Sequence, residues 1–127
     1  MSLRKLKYSE VAAVRQELLL KQKRVCGVCR GLIADEDAVL DHDHDTGAIR
    51  GVLHRSCNAL LGKIENNYRR YGVKNLAAFL QGAPSYLQKH QTNRTGLLHP
   101  THKTPEEKRL ARNEKARKAR AARKGTK

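Results

Sequence analysis

Tryptophan is missing from this 127-residue chain, phenylalanine occurs once, at Phe79, and aromatic residues make up only 4% of the whole. The apolar core must therefore come from Leu, Val, Ala and Ile, which makes it thin. Small cores short of apolar surface borrow stability from a metal or a partner subunit. Cysteine is scarce too, and its count of three is odd. A disulfide framework fits less well than a metal site, because one thiol is left over and Cys26 and Cys29 are too close together for a useful loop closure. No stretch approaches the run of about 20 apolar residues needed to span a bilayer. The opening residues, Met1-Ser2-Leu3-Arg4-Lys5, lead into a charged amphipathic stretch, so no signal peptide and a reducing cytosol are expected.

Acidic residues are also few. Twelve Asp and Glu stand against 27 Lys and Arg, giving a formal net charge of +15. From Thr101 to Lys127 there are eleven Lys/Arg against three Glu, a net +8, so the remainder carries +7. Both parts are basic, and a polyanion is the expected partner. Nucleic acid fits better than a membrane surface, because the tail lacks the large apolar residues an interfacial helix would bury.

The length leaves room for one compact domain and an appendage. Val11, Val14 and Leu18, with Ala12 and Leu19 nearby, predict a helix over Ser9 to Gln22, capped by Ser9 and lying as a lid on the core. Cys26-Gly27-Val28-Cys29-Arg30-Gly31 predicts a tight knuckle whose glycines take positive backbone angles. Val39 to His42 and Ile49 to Leu53 read as strands of a hairpin turned over Asp43 to Gly47. Ser56 to Tyr71 reads as a long helix with Leu60, Leu61, Ile64 and Tyr68 on one face, ended by Gly72. Two short helices follow, Val73 to Leu80, stopped by Gly82 and Pro84, and Ser85 to Gln91. The expected organisation is a domain over 1–91, a linker over 92–105 carrying Gly96, Pro100 and Pro105, and a basic helical or disordered tail over 106–127.

Cys26-x2-Cys29 and His54-x2-Cys57 form two chelating pairs, and all three cysteines fall into the pattern. Four nitrogen and sulfur donors suit tetrahedral zinc with no position left open, which makes the expected site structural. His42 or His44 could instead supply the histidine, but the regular spacing of His54 favours the pair with Cys57. Asp41-His42-Asp43-His44 ends the first strand, and Asn58 follows the last zinc ligand on the first turn of the long helix. If the zinc packs hairpin against helix, Asp41 and Asn58 can offer oxygen to a hard divalent ion, and His42 becomes a candidate base. The acid and histidine cluster also reads as ordinary polar turn chemistry.

These residues resemble the recombination endonuclease VII group of the His-Asn-His nuclease superfamily. The likeness rests on Cys-x2-Cys, Leu40-Asp41-His42-Asp43-His44, Thr46-Gly47, Arg50-Gly51, Leu53, Cys57-Asn58 and Leu61-Gly62. It implies an α+β, mostly helical fold, a zinc-stapled β-hairpin plus helix (ββα-metal) nuclease core with flanking helices and a basic C-terminal helical tail. It implies structural zinc on Cys26, Cys29, His54 and Cys57, and catalytic Mg²⁺ or Mn²⁺ on Asp41 and Asn58. His42 would activate water, with His44 auxiliary near the phosphate. The implied substrate is branched DNA, such as four-way junctions, or nicked or mismatched duplex, cut by a homodimer, in the host cytoplasm if the chain is phage-encoded. This chain departs from the pattern where His54 replaces a cysteine and Leu61 an acidic residue, with Glu65 one helical turn further on. The long C-terminal domain of the best-known members is replaced by the basic segment.

In that segment Arg109, Arg112, Lys115, Arg117, Lys118, Arg120, Arg123 and Lys124 would surround a helix and meet phosphates without reading sequence, and Arg50 is a further expected DNA contact. Three function classes result. They are a metal-dependent endonuclease for branched or distorted DNA, a site-specific or homing-type nicking enzyme with the same active site, and a non-catalytic zinc-stabilised nucleic-acid binder.

Overall fold

A computed structural model describes residues 2–125. The first helix, α1 (Val11–Lys21), is entered through a 3-10 turn over Tyr8–Glu10. Ser9 therefore does not cap it. It lies inside the turn, which Lys7 caps with its backbone N–H donating to the Glu10 carboxylate at 3.0 Å, and the cap position of α1 falls to Glu10. The expected lid forms, although Leu19 alone of its apolar residues is fully buried, with Val11, Val14 and Leu18 half-buried.

Strands β1 (Ala38–His42) and β2 (Ile49–His54) pair antiparallel as the expected hairpin. The pairing runs from Ala38 opposite His54 to Asp41 opposite Gly51, then slips so that His42 meets Ile49 and Arg50 becomes the extra residue of a bulge. Helix α2 (Arg55–Asn67) follows β2 without a loop. Turns carry the chain on to Gly72, which takes the expected left-handed angle at φ +85°. Leu61, Ile64 and Tyr68 face inward as expected, but Leu60, at the edge of that face about 40° from Ile64 and about 100° from Leu61, is 61% exposed.

The core gathers Leu19, Cys26, Ile33, Ala38, Val52 and Leu53, with Leu18, Leu40, Cys57 and Leu61 packed at its edge. Leu19 and Val52 are completely buried. Gln22 stitches the lid to the hairpin. Its amide donates to the carbonyls of Val25 and Val52 at 2.9 Å each, and its Oε1 accepts from the Val52 N–H at 2.8 Å. One side chain thus satisfies β2 along an edge that has no third strand.

Helix α3 (Leu76–Lys89) is a single element where two were expected, with Pro84 inside it. The side chain of Asn75 opens it by accepting from the Ala78 N–H at 2.9 Å. A proline removes one backbone bond and bends a helix, but good helix formers on both sides can carry the helix through. Helix α4 (Pro105–Lys124) starts at Thr104, whose hydroxyl accepts from the Glu107 N–H at 3.1 Å, with proline in the first turn. The chain divides into two compact units, Met1–Gln81 and Gly82–Lys127. Among the described residues no helix is long and apolar enough to cross a membrane.

Candidate functional site

The two chelating pairs meet. The Sγ atoms of Cys26, Cys29 and Cys57 and a ring nitrogen of His54 all lie within 4.8 Å of one another. Cys29 Sγ is 3.3 Å and Cys57 Sγ 3.8 Å from His54 Nδ1. Donors about 2.0–2.3 Å from a tetrahedral zinc are separated from each other by about 3.5–3.8 Å, so the cluster has the size zinc requires. The tautomer is suitable as well. His54 Nε2 lies 2.8 Å from the Leu32 carbonyl, which can only accept, so Nε2 carries the hydrogen and Nδ1 is turned to the thiols.

Backbone N–H groups are aimed at the sulfurs in the same way, Val28 to Cys26 Sγ and Gly31 to Cys29 Sγ, each at 3.5 Å. Burial raises the Cys26 thiol pKa, but the N–H groups of Cys29 and Val28 and the neighbouring His54 outweigh it and bring it down to about 6. Burial and the adjacent Cys29 and Cys26 push Cys57 up to about 11, because thiolates packed together repel. A central dication removes that conflict, and the residues fit a structural zinc.

The knuckle reaches this geometry differently from expectation. Its left-handed residue is Arg30, at φ 65°, whose N–H bonds the Cys26 carbonyl at 3.0 Å; neither Gly27 nor Gly31 takes a positive angle. Gly27 serves close packing instead, since a Cβ there would sit 3.2 Å from Leu53 Cδ2.

Three pairs along the ladder from the clasp residue His54, the hairpin carries a polar network. Asp41 is the one buried charged residue among those described, at 6% exposure. Arg50 meets it with two bonds, Nε to Oδ2 at 2.7 Å and Nη2 to Oδ1 at 3.1 Å. The same guanidinium makes two more to Glu65 on α2, Nη1 to Oε2 at 2.9 Å and Nη2 to Oε1 at 3.0 Å. The bulge explains the reach, because in a regular ladder Arg50 would stand opposite His42 and point away from Asp41. Two bonds occupy half of the lone-pair positions of the Asp41 carboxylate and leave the rest for another partner.

Glu65 lies seven residues after Asn58, two turns along one helical face, with Leu61 between them packed at the core's edge. Asn58 is half-buried, and no hydrogen bond holds its side chain among the described residues. Glu65 had no motif of its own, and the signals for it were this spacing and its charge.

On the other face of the strand end, His42 and His44 are exposed and stacked, with ring centroids 4.8 Å apart and planes at 26°. Asp43 does not continue the strand. Its Oδ1 accepts from the N–H groups of Asp45 at 2.8 Å and Thr46 at 3.1 Å, and those bonds lower its pKa. The turn that Asp43 closes brings the two imidazoles together.

In the second unit, α4 is exposed along its length. At about 100° per residue, Arg109, Arg112, Lys115, Arg117, Arg120, Arg123 and Lys124 occupy a little over half of its circumference. Lys118 sits on the other half with Glu107, Leu110 and Glu114, and pairs with Glu114 at 3.4 Å. The charge is therefore one-sided and does not surround the helix as expected.

The family model for recombination endonuclease VII matches residues 1–89, a span that contains the clasp, the hairpin, the Asp41–Arg50–Glu65 network and α2. No curated protein matches the chain. The chain belongs to the recombination endonuclease VII family and is thereby a DNA endonuclease, a hydrolase of phosphodiester bonds.

Proposed function

We propose that the protein is a divalent-metal-dependent endonuclease for branched or distorted DNA, with a structural zinc on Cys26, Cys29, His54 and Cys57. The observation that carries this reading is the network from Asp41 through Arg50 to Glu65, which binds the hairpin acid to the helix face that also bears Asn58. Asp41 and Asn58 would hold Mg²⁺ or Mn²⁺, which when bound supplies charge stabilisation at the scissile phosphate and at the departing oxygen. The exposed His42 imidazole takes the proton of the attacking water, and stacking on His44 fixes the ring plane. His44 then lies beside the phosphate. Arg50 holds the Asp41 carboxylate in orientation through two charge-assisted hydrogen bonds.

In this reading residues 1–91 are the nuclease domain, 92–105 the linker and 106–127 a DNA-binding tail. The one-sided charge of α4 supports non-specific contact with phosphates. Four-way junctions are the favoured substrate and a homodimer the favoured assembly, both by family membership.

Nicking of supercoiled plasmid in the presence of Mg²⁺ tests the chemistry. The expected result is cleavage by wild type and a loss of at least a hundredfold in His42→Ala, in line with general-base catalysis worth about 10²–10⁴. Equal rates would remove His42 from its role. Competition between a four-way junction and linear duplex separates this substrate class from a site-specific nicking enzyme. Truncation after Thr104 should weaken DNA affinity and flatten its salt dependence while zinc content stays the same.

A further inference from the structure

We propose that the N-terminal arm, Arg4 to Tyr8, is one wall of the groove that seats a DNA strand against His42, with Lys5 meeting a phosphate and Tyr8 stacking on a base. The inference deepens the nuclease reading and rests on it, since that reading supplies the strand and the reason for it to pass His42.

A cleft of about 360 Å³ lies between the arm and the end of the hairpin, walled by Arg4, Lys5, Leu6 and Tyr8 on one side and by His42 and Ile49 on the other. Its volume falls within the range of about 300–1,000 Å³ typical of ligand pockets. The arm is held in place. Arg4 Nη1 reaches both oxygens of Glu10, at 2.9 and 3.1 Å, and Glu10 also accepts from the Lys7 N–H at 3.0 Å. Arg4 is thus committed to positioning the arm, which leaves Lys5 as the wall's cation for a polyanion.

Tyr8 is 99% exposed in a chain with only four tyrosines and one phenylalanine. The core makes no use of this ring. An exposed aromatic beside a cationic groove matches the platform on which single-stranded bases stack without regard to sequence. Leu6, Val11 and Ile49 give the cleft apolar patches suited to sugar faces, and His42 closes it at the hairpin. A strand lying there has its backbone directed at the imidazole. Single-stranded or distorted DNA is the ligand class that offers both an accessible base and a phosphate at this spot.

The test uses the zinc-replete full-length chain without added Mg²⁺, so that no strand is cut, and a duplex with a single-stranded arm carrying 2-aminopurine. Wild type and Tyr8→Phe should quench the base, whereas Tyr8→Ala should not, and should bind at least fivefold more weakly. Lys5→Gln should reduce the slope of log affinity against log salt concentration by about one. With Mg²⁺ restored, Tyr8→Ala and Lys5→Gln should raise KM several-fold at nearly constant kcat. Both positions are exposed, so zinc content and circular dichroism should match wild type. Quenching retained in Tyr8→Ala, or an unchanged salt slope in Lys5→Gln, overturns the proposal. Wild type that quenches and yet never cleaves supports the arm as a strand wall while refuting the nuclease chemistry.

Discussion

Arg50 grips Asp41 through two hydrogen bonds, from Nε at 2.7 Å and Nη2 at 3.1 Å, across a bulge that turns the guanidinium onto the buried side of the hairpin. The Asp41 side chain is only 8% exposed, and Arg50 is the cation that pairs with it there. Arg50→Ala leaves the carboxylate buried and unpaired, and a loss on the order of 3 kcal/mol in unfolding free energy is expected. Urea denaturation measures it. The double variant Asp41→Asn/Arg50→Ala should recover part of the loss, because the stranded charge is gone. A single variant as stable as wild type would mean the grip carries no folding energy.

Glu65 is held on the other side of the same guanidinium, and Arg50 lowers its pKa below the usual carboxylate value near 4.5. The folded form therefore binds its proton later than the unfolded form does. The stabilisation is present above pH 4.5 and disappears as pH falls through the depressed folded value. Because the pair is about one-third exposed, the effect is under about 1 kcal/mol. Thermal melts of wild type and Glu65→Gln should differ at pH 7 and converge once the pH has fallen below the depressed folded value. A gap that stays constant over this range would assign the difference to packing.

A Cβ on Gly51 would lie 2.9 Å from Gln22 Oε1, and Gln22 cannot retreat without breaking the three bonds that join it to Val25 and Val52. Gly51→Ala should cost about 1–3 kcal/mol, because the N–H of completely buried Val52 loses its acceptor. The cause is specific to Gln22. In a Gln22→Ala background the glycine substitution should cost much less, a non-additivity that denaturation of the four variants reads directly.

One zinc per chain is expected by elemental analysis. Its removal with a strong chelator should unfold the hairpin and α2, since a structural zinc contributes on the order of 10 kcal/mol. Cys26→Ser should bind no zinc. His54→Cys should keep it, because a thiolate satisfies the same tetrahedral position, although Leu32 loses the ring N–H that it accepts at 2.8 Å. A zinc-free wild-type chain with an unaltered circular dichroism spectrum would contradict the structural role.

The four clasp residues, the hairpin and the long helix were all legible in the linear pattern, because chelate spacing, strand alternation and helical periodicity depend on residues near one another in the chain. The family likeness had the same source, since its residues cluster between Cys26 and Gly62. The zinc donors followed from local spacing, and the family likeness supplied the fold class. What the chain order could not reveal was which distant partners each polar group would find. Arg50 was expected to meet DNA, and it stands between Asp41 and Glu65 only because a one-residue slip in the ladder turns it inward. Helix α3 runs through Pro84, against the local signal. Gly27 and Gly51 are there for the Leu53 and Gln22 side chains pressed against them, and the positive angle expected of the knuckle glycines falls to Arg30. The wall that Lys5 and Tyr8 make beside His42 joins segments more than thirty residues apart in the chain. Such contacts are set when the whole core closes, so tertiary structure alone decided them.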